Sequence, residues 1–437
     1  MRSSNPRLLI VAPSWLHDWW KGGKVLAPPL VLPLLAGLTP PEIDVQLVDE
    51  NVELVDTNTN TDWVTISCMT ASAPRAYAIA DAFRQRGIPV VMGGIHPTVL
   101  PDEAGLHADA VVIGEAEPVW QMVLQDLARG TLKARYQGAK YCDMIGLPLP
   151  RRDLLQRDRY LTVDVVQTAR GCPNACTFCT VSKVAGRHYR FRPVPEVIDE
   201  VQTCKGWVGF VDDNITGNPN RAKELFEALI PFRIRWVGQA DLNMAKDFEL
   251  LSLAARSGCQ AMFIGFESLL PENLRETHKI PNVGIDMGAA IATIHRAGIE
   301  IIGSFVLGLD GDDRDTFVQT VDFAKRHKLA AAQFSVLTPF PGTVIWEQFV
   351  REGRIIDYDW SHYTMSKVVF HPRKMTNLEL QDGRDYVYRR FYSFPSIFMR
   401  SLTVRGNLQL RILRFLVNLS YQRIGCKKGM TMGLPTS

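Results

Sequence analysis

Residues 163–180, Val-Asp-Val-Val-Gln-Thr-Ala-Arg-Gly-Cys-Pro-Asn-Ala-Cys-Thr-Phe-Cys-Thr, contain the stretch that decides how the rest of this sequence is interpreted. A β-branched run at its start predicts a buried strand that stops at Gly171. Three cysteines follow in one short loop: Cys172, Cys176 and Cys179. Three neighbouring thiolates cannot all pair with one another as disulfides, but they can face one polynuclear metal centre such as an iron–sulfur cube. Three ligands for four irons leave one iron open.

A zinc site is the alternative interpretation of this loop. Structural zinc normally takes four protein ligands. A fourth ligand would have to come from Cys204 or His188, and neither residue stands at a close, standard spacing. The loop also follows a predicted strand and precedes a repeating strand–helix pattern, and both features favour the iron–sulfur cluster.

The C-x3-C-x2-C spacing, with aromatic Phe178 before the last cysteine, resembles the signature of the radical S-adenosylmethionine (SAM) family. The resemblance implies that Cys172, Cys176 and Cys179 bind a [4Fe–4S] cluster whose open iron chelates the amino and carboxylate groups of SAM. In that family the reduced cluster gives one electron to SAM, which releases methionine and a 5′-deoxyadenosyl radical. The protein would then supply orientation and a dry site.

The composition is that of an ordinary soluble protein of two or three domains. The chain has 437 residues, of which 46% are hydrophobic and 22% charged. Its eight cysteines are too scattered for a disulfide framework, so free thiols beside an oxygen-labile cluster predict a reducing, cytoplasmic location. Residues 8–11 are too short for a secretory signal, and the proline-containing residues 25–38 fall short of a membrane span.

The net charge of +3 hides an uneven distribution. From residue 386 to the end there is no Asp or Glu, while nine Arg and Lys residues occur there. The rest of the chain therefore carries 40 basic against 46 acidic residues, a net charge of −6. The basic excess belongs to the C-terminal tail, and we expect no nucleic-acid partner.

Strand and helix signals alternate through the first 140 residues. Strands are predicted at residues 7–13, 43–49, 63–68, 88–92 and 110–113, and helices at residues 73–86 and 119–127. This alternation predicts an α/β fold with a doubly wound, Rossmann-like parallel sheet. Ligands of such sheets bind beyond the carboxyl ends of the strands. The residues expected along that edge are Thr70, Ser72, Gly93, Gly94, Gly114 and Glu115.

Residues 90–118 resemble the cobalamin-binding domain that precedes the barrel in one large radical SAM class. The resemblance implies a cobalamin site that includes Thr70, Ser72, Gly93 and Gly94, because paired glycines let the backbone approach a bulky ligand. His17, His96 and His107 do not stand in the Asp-x-His-x-x-Gly pattern that ligates cobalt. Cobalamin would then bind without a protein histidine on its lower face. The alternative is a relic domain that no longer binds it.

Residues 143–155 contain prolines and show no clear helical or strand periodicity, so we place a domain boundary there. We divide the chain into a cobalamin-binding-like domain at residues 1–142, a linker at 143–160, a radical SAM core at 161–345, and a mainly helical, basic region at 346–437. Six strands are predicted in the core, at residues 162–168, 206–212, 234–240, 261–267, 301–307 and 332–337. Six parallel units with intervening helices predict a partial TIM-type (β/α)6 barrel, whose active site gathers at the strand carboxyl ends.

Polar residues recur at four successive strand ends of this core. They are Asp212, Asp213, Asn214, Gln239, Glu267, Ser268 and Ser304. Each alone is a common helix cap or turn residue. Their recurrence behind the cysteine loop, together with the family resemblance, implies that they position SAM.

Two segments of the C-terminal region have alternative interpretations. The aromatic-rich residues 356–374 could cap the barrel mouth or form a packed connector. Residues 408–419 form a predicted amphipathic helix in which Arg411 and Arg414 border an apolar face. Such a helix can lie on an anionic membrane. Docking on its own domain, with the arginines extended along the surface, is favoured.

The resemblances cover about residues 1–375 and identify the chain as similar to cobalamin-dependent radical SAM enzymes. In that class the deoxyadenosyl radical removes hydrogen from an unactivated carbon, and methylcobalamin then delivers a methyl group. We expect a small-molecule substrate, hydrophobic or anionic, such as a lipid or tetrapyrrole, and an external electron donor of the flavodoxin or ferredoxin type. The alternatives are a radical cyclase or oxidoreductase without methyl transfer, and a non-catalytic iron–sulfur electron carrier.

Overall fold

The structure, a computed structural model, describes residues 5–14, 25–138 and 141–402, together with residues 412, 414, 415, 418, 419 and 422. Two six-stranded parallel sheets dominate it, and both follow from the alternation of strand and helix signals. The expected fold class, a Rossmann-like sheet followed by a partial barrel and a helical C-terminal region, is confirmed.

The first sheet has the strand order β2-β1-β3-β4-β5-β6. Its strands are β1 (Arg7–Ala12), β2 (Asp44–Asp49), β3 (Trp63–Ser67), β4 (Val90–Gly93), β5 (Ala110–Ile113) and β6 (Arg135–Gln137). Central β1 pairs with strands on both sides and its apolar residues are buried, as a parallel sheet covered on both faces requires. Strand β6 was not predicted, because three residues are too few to leave a period-2 pattern.

Helices cover both faces of this sheet. They are α1 (Val31–Leu38), α2 (Ala73–Gln85), α3 (Ile95–Val99), α4 (Pro101–Gly105) and α5 (Trp120–Arg129). Helix α1 contains Pro33, which is tolerated because it stands in the first turn, where no intrahelical acceptor is available for a backbone N–H. Helix α5 ends at Gly130 in the left-handed conformation that commonly closes a helix.

The second sheet has the order β14-β13-β12-β11-β10-β7. Its strands are β7 (Val165–Val166), β10 (Val208–Phe210), β11 (Trp236–Ala240), β12 (Cys259–Glu267), β13 (Glu300–Leu307) and β14 (Ala331–Val336). Strand β7 is shorter than the predicted 162–168, because the chain leaves the sheet to form a small antiparallel ribbon. The ribbon consists of β8 (Ala169–Arg170) and β9 (Arg190–Phe191), and the cysteine loop lies between these two strands.

Ten α-helices are described between β8 and residue 402. They are α6 (Val181–Val184), α7 (Val194–Thr203), α8 (Pro219–Leu229), α9 (Phe248–Arg256), α10 (Pro271–Glu276), α11 (Met287–Arg296), α12 (Arg314–Arg326), α13 (Val344–Arg351), α14 (Asn377–Phe391) and α15 (Phe394–Leu402). On the helix-covered side of the sheet, Phe266, Phe305 and Phe334 stack across three strands with centroid separations of 5.2 and 5.5 Å. The core therefore fills one face, and the other face is left for ligands.

The aromatic residues 356–374 include a connector back to the first domain. Trp360 donates its indole N–H to Glu103 of α4 at 2.9 Å and packs 5.6 Å from the ring of Trp346. This contact supports the packed-connector interpretation for Trp360 itself. Met365, in the same segment, has a left-handed backbone and lies at the cavity described below.

The described part of residues 408–419 docks on the barrel. Arg414 pairs with Glu300 at 3.0 Å, and Asn418 donates to the carbonyl of Ala330 at 3.0 Å. Residue Arg411 of the predicted helix lies outside the described residues. Nowhere in the described ranges is a helix both long and apolar enough to cross a bilayer.

Candidate functional site

The cysteine loop starts at a position that only glycine can occupy. Gly171 has φ = +87°, and a side chain there would collide with the carbonyl oxygen of His188, two residues before β9. Cys172 donates its backbone N–H to Gly186 at 3.2 Å, which closes the base of the loop. The three cysteines therefore lie on one tight excursion from the β8–β9 ribbon.

A second segment of the barrel holds the loop from the other side. Thr177 donates its N–H to the carbonyl of Thr277 at 3.0 Å, and the thiol of Cys176 lies 3.9 Å from the carbonyl of His278. His278 has a left-handed φ of 54°. This turn, which follows α10, brings the next residue, Lys279, towards the three thiols.

The thiols are in an environment that disfavours the free thiolate. Burial raises the pKa of all three, that of Cys176 to about 11 and that of Cys179 to about 12, against an opposing effect of the positive charge of Lys279. A bound metal removes the thiol proton outright. A metal that binds here would therefore have to displace thiol protons.

The loop geometry fits a cluster better than a single ion. Cys172, Cys176 and Cys179 are free of disulfides. In the described parts of the chain, no three His, Cys, Asp or Glu side chains converge on one point where a single metal ion could bind. A structural zinc needs four converging ligands, whereas a cube binds each cysteine through a different iron. These three thiols could thus hold a [4Fe–4S] cluster.

Asp212 supports the strand that leads into the loop. One carboxylate oxygen accepts the backbone N–H groups of Thr168 and Ala169, at 2.6 and 3.2 Å, and the other accepts the Thr168 hydroxyl. The residue is 1% exposed, and burial raises its pKa to about 6. Both oxygens are therefore occupied by the fold, and Asp212 positions the loop rather than facing a ligand.

Asp213 and Asn214 differ in how many of their side-chain hydrogen-bonding atoms are already occupied within the fold. Asp213 lines the cavity and accepts the backbone N–H of Gly171; burial and then the charge of Asp212 raise its pKa to about 6. Asn214 donates to Asp241 at 2.8 Å and accepts from Thr216, which ties the ends of β10 and β11 together. Asp213 is therefore the member of this turn that is available to a ligand.

Glu267 ends β12 in a conformation that is unusual for its residue type. Its φ is +63°, and the pairing of β12 with β13 slips between Gly265 and Glu267, which forms a bulge. Left-handed non-glycine residues and bulges concentrate at functional sites because the surrounding fold must hold them. The carboxylate of Glu267 is buried and pairs with Lys279 at 2.8 Å.

The other predicted SAM residues of the barrel fall into two groups. Gln239 and Ser304 are half-buried on the ligand-facing side of the sheet, and the amide nitrogen of Gln239 is buried without a hydrogen-bond partner. Ser268 instead accepts from Asn273 and the backbone of Leu270, at 3.0 and 3.1 Å, and so starts α10. Phe178 packs against the barrel core beside the cysteines.

A cavity of about 370 Å³ separates the carboxyl edge of the first sheet from the cysteine loop. Its walls come from both domains: the ends of β3, β4 and β5 on one side, and Asp213 with the segment from Thr180 to Ala185 on the other. The lining is mostly apolar, with Leu30, Val31 and Leu34 among it. The cavity therefore lies between the two domains, next to the segment that carries the cysteines.

Two buried polar groups in this cavity lack partners. The Thr65 hydroxyl and the Gln167 amide nitrogen both belong to cavity-lining residues, and neither has a hydrogen-bond partner within the described residues. Because these two groups lie in the wall of a cavity, a bound ligand or water could satisfy them. Cobalamin, whose corrin ring has apolar faces and amide groups around its edge, suits a lining of this kind.

No histidine lines the cavity among the described residues. His96 is fully buried instead, where its ring accepts or donates a 2.8 Å hydrogen bond with the Tyr77 hydroxyl and burial lowers its pKa. His107 pairs with Asp81 at 2.9 Å on the outside of the sheet. His17 lies outside the described residues.

The predicted cobalamin residues also separate into two groups. Ser72, Gly93 and Gly94 line the cavity, whereas Thr70 is buried and does not. Gly94 has φ = +99°, and a Cβ there would lie 2.8 Å from the backbone of Cys68. The close contact that requires glycine at position 94 is therefore with the backbone of Cys68, which follows the neighbouring strand β3.

Buried ion pairs join the two domains at the cavity. Arg170, on the ribbon before the cysteines, pairs with Glu117 at 2.5 Å and Glu115 at 3.3 Å, and Arg190 on the return strand pairs with Glu115 at 2.7 Å. Burial alone would raise the pKa of Glu115, but the Arg190 hydrogen bond and the Arg170 charge lower it overall. We call Arg170, Arg190, Glu115 and Glu117 the charged junction.

Sequence reasoning did not single out Lys279, Arg170, Arg190 or Glu117. Lys279 and Glu267 are 12 residues apart, and Arg190 and Glu115 are 75 apart. The sequence feature that could have marked Arg170 as a site residue is its position two residues before the first cysteine. Nothing local marks the other three.

Two family models match the chain. The radical SAM superfamily matches residues 166–324, and the B12 binding domain matches residues 27–123. The first range contains the cysteine loop and the second sheet through β13. The second contains the edge of the first sheet that lines the cavity. These domains imply a [4Fe–4S] cluster with SAM, and cobalamin, respectively.

Two curated relatives cover nearly the whole chain. Bacteriochlorophyllide d C-12(1)-methyltransferase of Chlorobaculum tepidum is 31% identical over 91% of this chain and 90% of its own length. Bacteriochlorophyllide d C-8(2)-methyltransferase of the same organism is 28% identical over 85% of this chain and 87% of its own. The radical SAM methyltransferase TsrM from Kitasatospora setae, solved with cobalamin and a [4Fe–4S] cluster, has a TM-score of 0.69 at 15% identity, covering 97% of this chain and 100% of that one.

We expect the triple variant Cys172→Ala, Cys176→Ala, Cys179→Ala to bind no [4Fe–4S] cluster after anaerobic reconstitution, because a cube cannot be held without its thiolates. Iron and sulfide assays and electron paramagnetic resonance of the reduced protein measure this. The half-buried Cys204, changed to Ala, is the matched control and should keep the cluster. Undiminished iron and sulfide in the triple variant would contradict the assignment.

We expect Glu267→Gln to slow reductive SAM cleavage by at least about tenfold even without substrate, because it disturbs the Lys279 pair beside the cysteine loop and correct orientation alone can supply several kcal/mol of a barrier. Deoxyadenosine release with and without substrate measures this. Glu352→Gln, at a partly exposed carboxylate paired with Arg354, is the control. Intact substrate-free cleavage with lost product would instead make Glu267 a base acting on the substrate.

Proposed function

Because the chain belongs to the cobalamin-dependent radical SAM methyltransferase family, we propose that it methylates an unactivated carbon of a tetrapyrrole-type substrate. The observation that carries this proposal is the cavity between the two domains, which is lined by the cobalamin-type edge of the first sheet and, on the other side, by Arg170 and Thr180, which flank the three cysteines. Methyl transfer to a substrate radical requires the methyl donor and the radical source to reach one carbon.

We propose that Cys172, Cys176 and Cys179 hold the cluster and that Asp213, with Gln239 and Ser304, contacts SAM. When bound, the reduced cluster supplies the electron that cleaves SAM, and cobalamin supplies the methyl group. Asp213 is the carboxylate of its turn that lines the cavity, and the amide nitrogen of Gln239 lacks a partner. Both groups can therefore bind a cationic or polar part of SAM without first breaking a contact within the fold.

The chain's own residues also control position and water in this cavity. Asp212 fixes the strand before the loop, and the Glu267–Lys279 pair fixes a buried positive charge beside it. The charged junction holds the ribbon against the first sheet. The apolar lining from α1 excludes water, which protects a carbon radical from side reactions.

The substrate proposal is supported by the names of the relatives and by the chemistry of the cavity. Both Chlorobaculum tepidum relatives are named as methyltransferases of bacteriochlorophyllide d, a tetrapyrrole, and they align with 85–91% of this chain. The cavity lining is largely apolar, as a flat, hydrophobic ring system requires. An external reductant would supply the electrons.

We expect a trideuteromethyl group to appear on carbon when the anaerobically reconstituted protein, with cobalamin and reductant, turns over methyl-deuterated SAM with bacteriochlorophyllide d as the probe. Mass spectrometry of the pigment and of deoxyadenosine measures both halves of the reaction. The Cys172→Ala protein is the blank. Deoxyadenosine release with a cyclised or oxidised, unlabelled pigment would contradict methyl transfer. Release with an unchanged pigment would contradict this substrate class.

We expect bound cobalamin to have no protein nitrogen on cobalt, because no described histidine lines the cavity. The electron paramagnetic resonance spectrum of the one-electron-reduced cobalamin should lack hyperfine splitting from a protein nitrogen. It should not change in His96→Ala or in His17→Ala. Protein nitrogen splitting would contradict the prediction, and failure to retain any corrinoid would favour a relic domain.

A further inference from the structure

Tyr189 lies on the return segment of the cysteine loop, directly before β9. The β8–β9 ribbon pairs Arg170 with Arg190 in antiparallel register, so one further step along it brings Tyr189 opposite Gly171. Cys172 follows Gly171 directly in the sequence. The fold therefore brings a phenol next to the first of the three cysteines.

Two contacts fix the position of this phenol. The ring of Tyr189 stacks on that of Phe191, with the two centroids 5.4 Å apart. Its hydroxyl lies against Gly217, where a Cβ atom would overlap the hydroxyl oxygen. Gly217 follows the turn that contains Asp213 and Asn214, so the hydroxyl end of the ring is enclosed between that turn and the cysteine loop. Any residue larger than glycine at position 217 would displace the hydroxyl.

The Tyr189 hydroxyl is buried and forms no hydrogen bond of ordinary geometry within the described residues. Burial raises the pKa of the phenol, and the charge of a Cys172 thiolate raises it further. A hydrogen bond from the hydroxyl to that thiolate acts in the same direction, as do the charges of Asp241 and Asp213. A phenol keeps its proton near neutral pH in any case. Tyr189 is therefore a hydrogen-bond donor beside a thiol that becomes an acceptor once it loses its proton.

The carboxylate of Asp241 is a weaker competitor for this donor, because both of its oxygens are already occupied. One oxygen accepts from the side chain of Asn214 at 2.8 Å, and the other accepts the backbone N–H of Asn243 at 2.8 Å. A cysteine sulfur that ligates iron keeps negative charge and accepts hydrogen bonds. The sulfur of Cys172 is thus the acceptor that cluster binding would provide.

We propose that Tyr189 donates its hydroxyl to the sulfur of Cys172 and thereby raises the reduction potential of the cluster. Reduction adds an electron whose charge the ligating sulfurs share, so a donor stabilises the reduced cluster more than the oxidised one. The backbone N–H of Asn174 also bonds to Cys172, and a substitution at residue 189 leaves that donor in place. The inference rests on the proposed cluster ligation by the three cysteines, and not on the substrate.

The test is a redox titration of the anaerobically reconstituted full-length protein without SAM, followed by electron paramagnetic resonance of the reduced cluster. Tyr189→Phe keeps the ring and its stack on Phe191 and removes only the hydroxyl. We expect the ratio of reduced to oxidised cluster at a fixed potential to fall at least about threefold, since a hydrogen bond to a charged group is lost. That change lowers the midpoint potential by about 28 mV, at about 59 mV per tenfold for one electron.

A second variant and a second measurement test the same contact independently. Gly217→Ala should displace the hydroxyl and lower the midpoint potential as well. Electron nuclear double resonance of the reduced protein should show a coupling to an exchangeable proton that is absent from Tyr189→Phe. Tyr136→Phe is the matched control: it removes a buried hydroxyl that donates to Asp126 at 2.7 Å in the first domain, and its cluster should titrate as that of the unchanged protein.

The outcomes separate this inference from the cluster assignment. An unchanged or higher midpoint potential in Tyr189→Phe, with iron and sulfide retained, would overturn the role of Tyr189 and leave the cluster assigned. An unchanged potential together with weaker SAM binding would also overturn it, because the hydroxyl would then serve SAM. If Tyr189→Phe retained no cluster, an unchanged potential in Gly217→Ala would decide against the proposal. Absence of a cluster from the unchanged protein would overturn both.

Discussion

The charged junction is the constraint on which the arrangement of the site depends. Each sheet alone would place its ligands at its own carboxyl edge. Glu115 and Glu117 extend from the edge of the first sheet, and Arg170 and Arg190 extend from the ribbon that carries the cysteine loop. Their pairing makes the two edges face each other across one cavity. Because the charges are buried, removing one partner of such a pair typically costs roughly 3–5 kcal/mol.

Local pattern was sufficient to predict the strands and their edges, since parallel strands of a covered sheet are continuous apolar runs that end at turn residues. Ten of the eleven predicted strands overlap an observed one by three residues or more; the exception, 162–168, keeps only Val165–Val166 because the chain turns into the ribbon. The contacts that shape the site join distant residues. The role of Lys279 follows from its ion pair with Glu267 and from its charge near the cysteines. No sequence pattern near residue 279 predicts those contacts.

The type of residue at a strand end indicates a possible ligand contact less well than a side-chain polar atom that has no hydrogen-bond partner. Asp212, Ser268 and Asn214 have the expected chemistry, yet the fold uses them to hold backbone, to start a helix and to link two strand ends. Gln239 keeps an amide nitrogen without a partner in the described structure. A buried polar group left unpaired costs free energy unless something binds it. At a strand end that faces the ligand side of the sheet, such a group is a candidate ligand contact, and only coordinates reveal it.

The C-terminal helices are anchored to the barrel away from the cavity. Arg400 contacts Leu329 and Ala330, which precede β14, and Arg414 contacts Glu300, the first residue of β13. The C-terminal helices are therefore anchored at the amino ends of these strands, whereas the cavity lies at the carboxyl ends, the edge where barrels of this type place their sites.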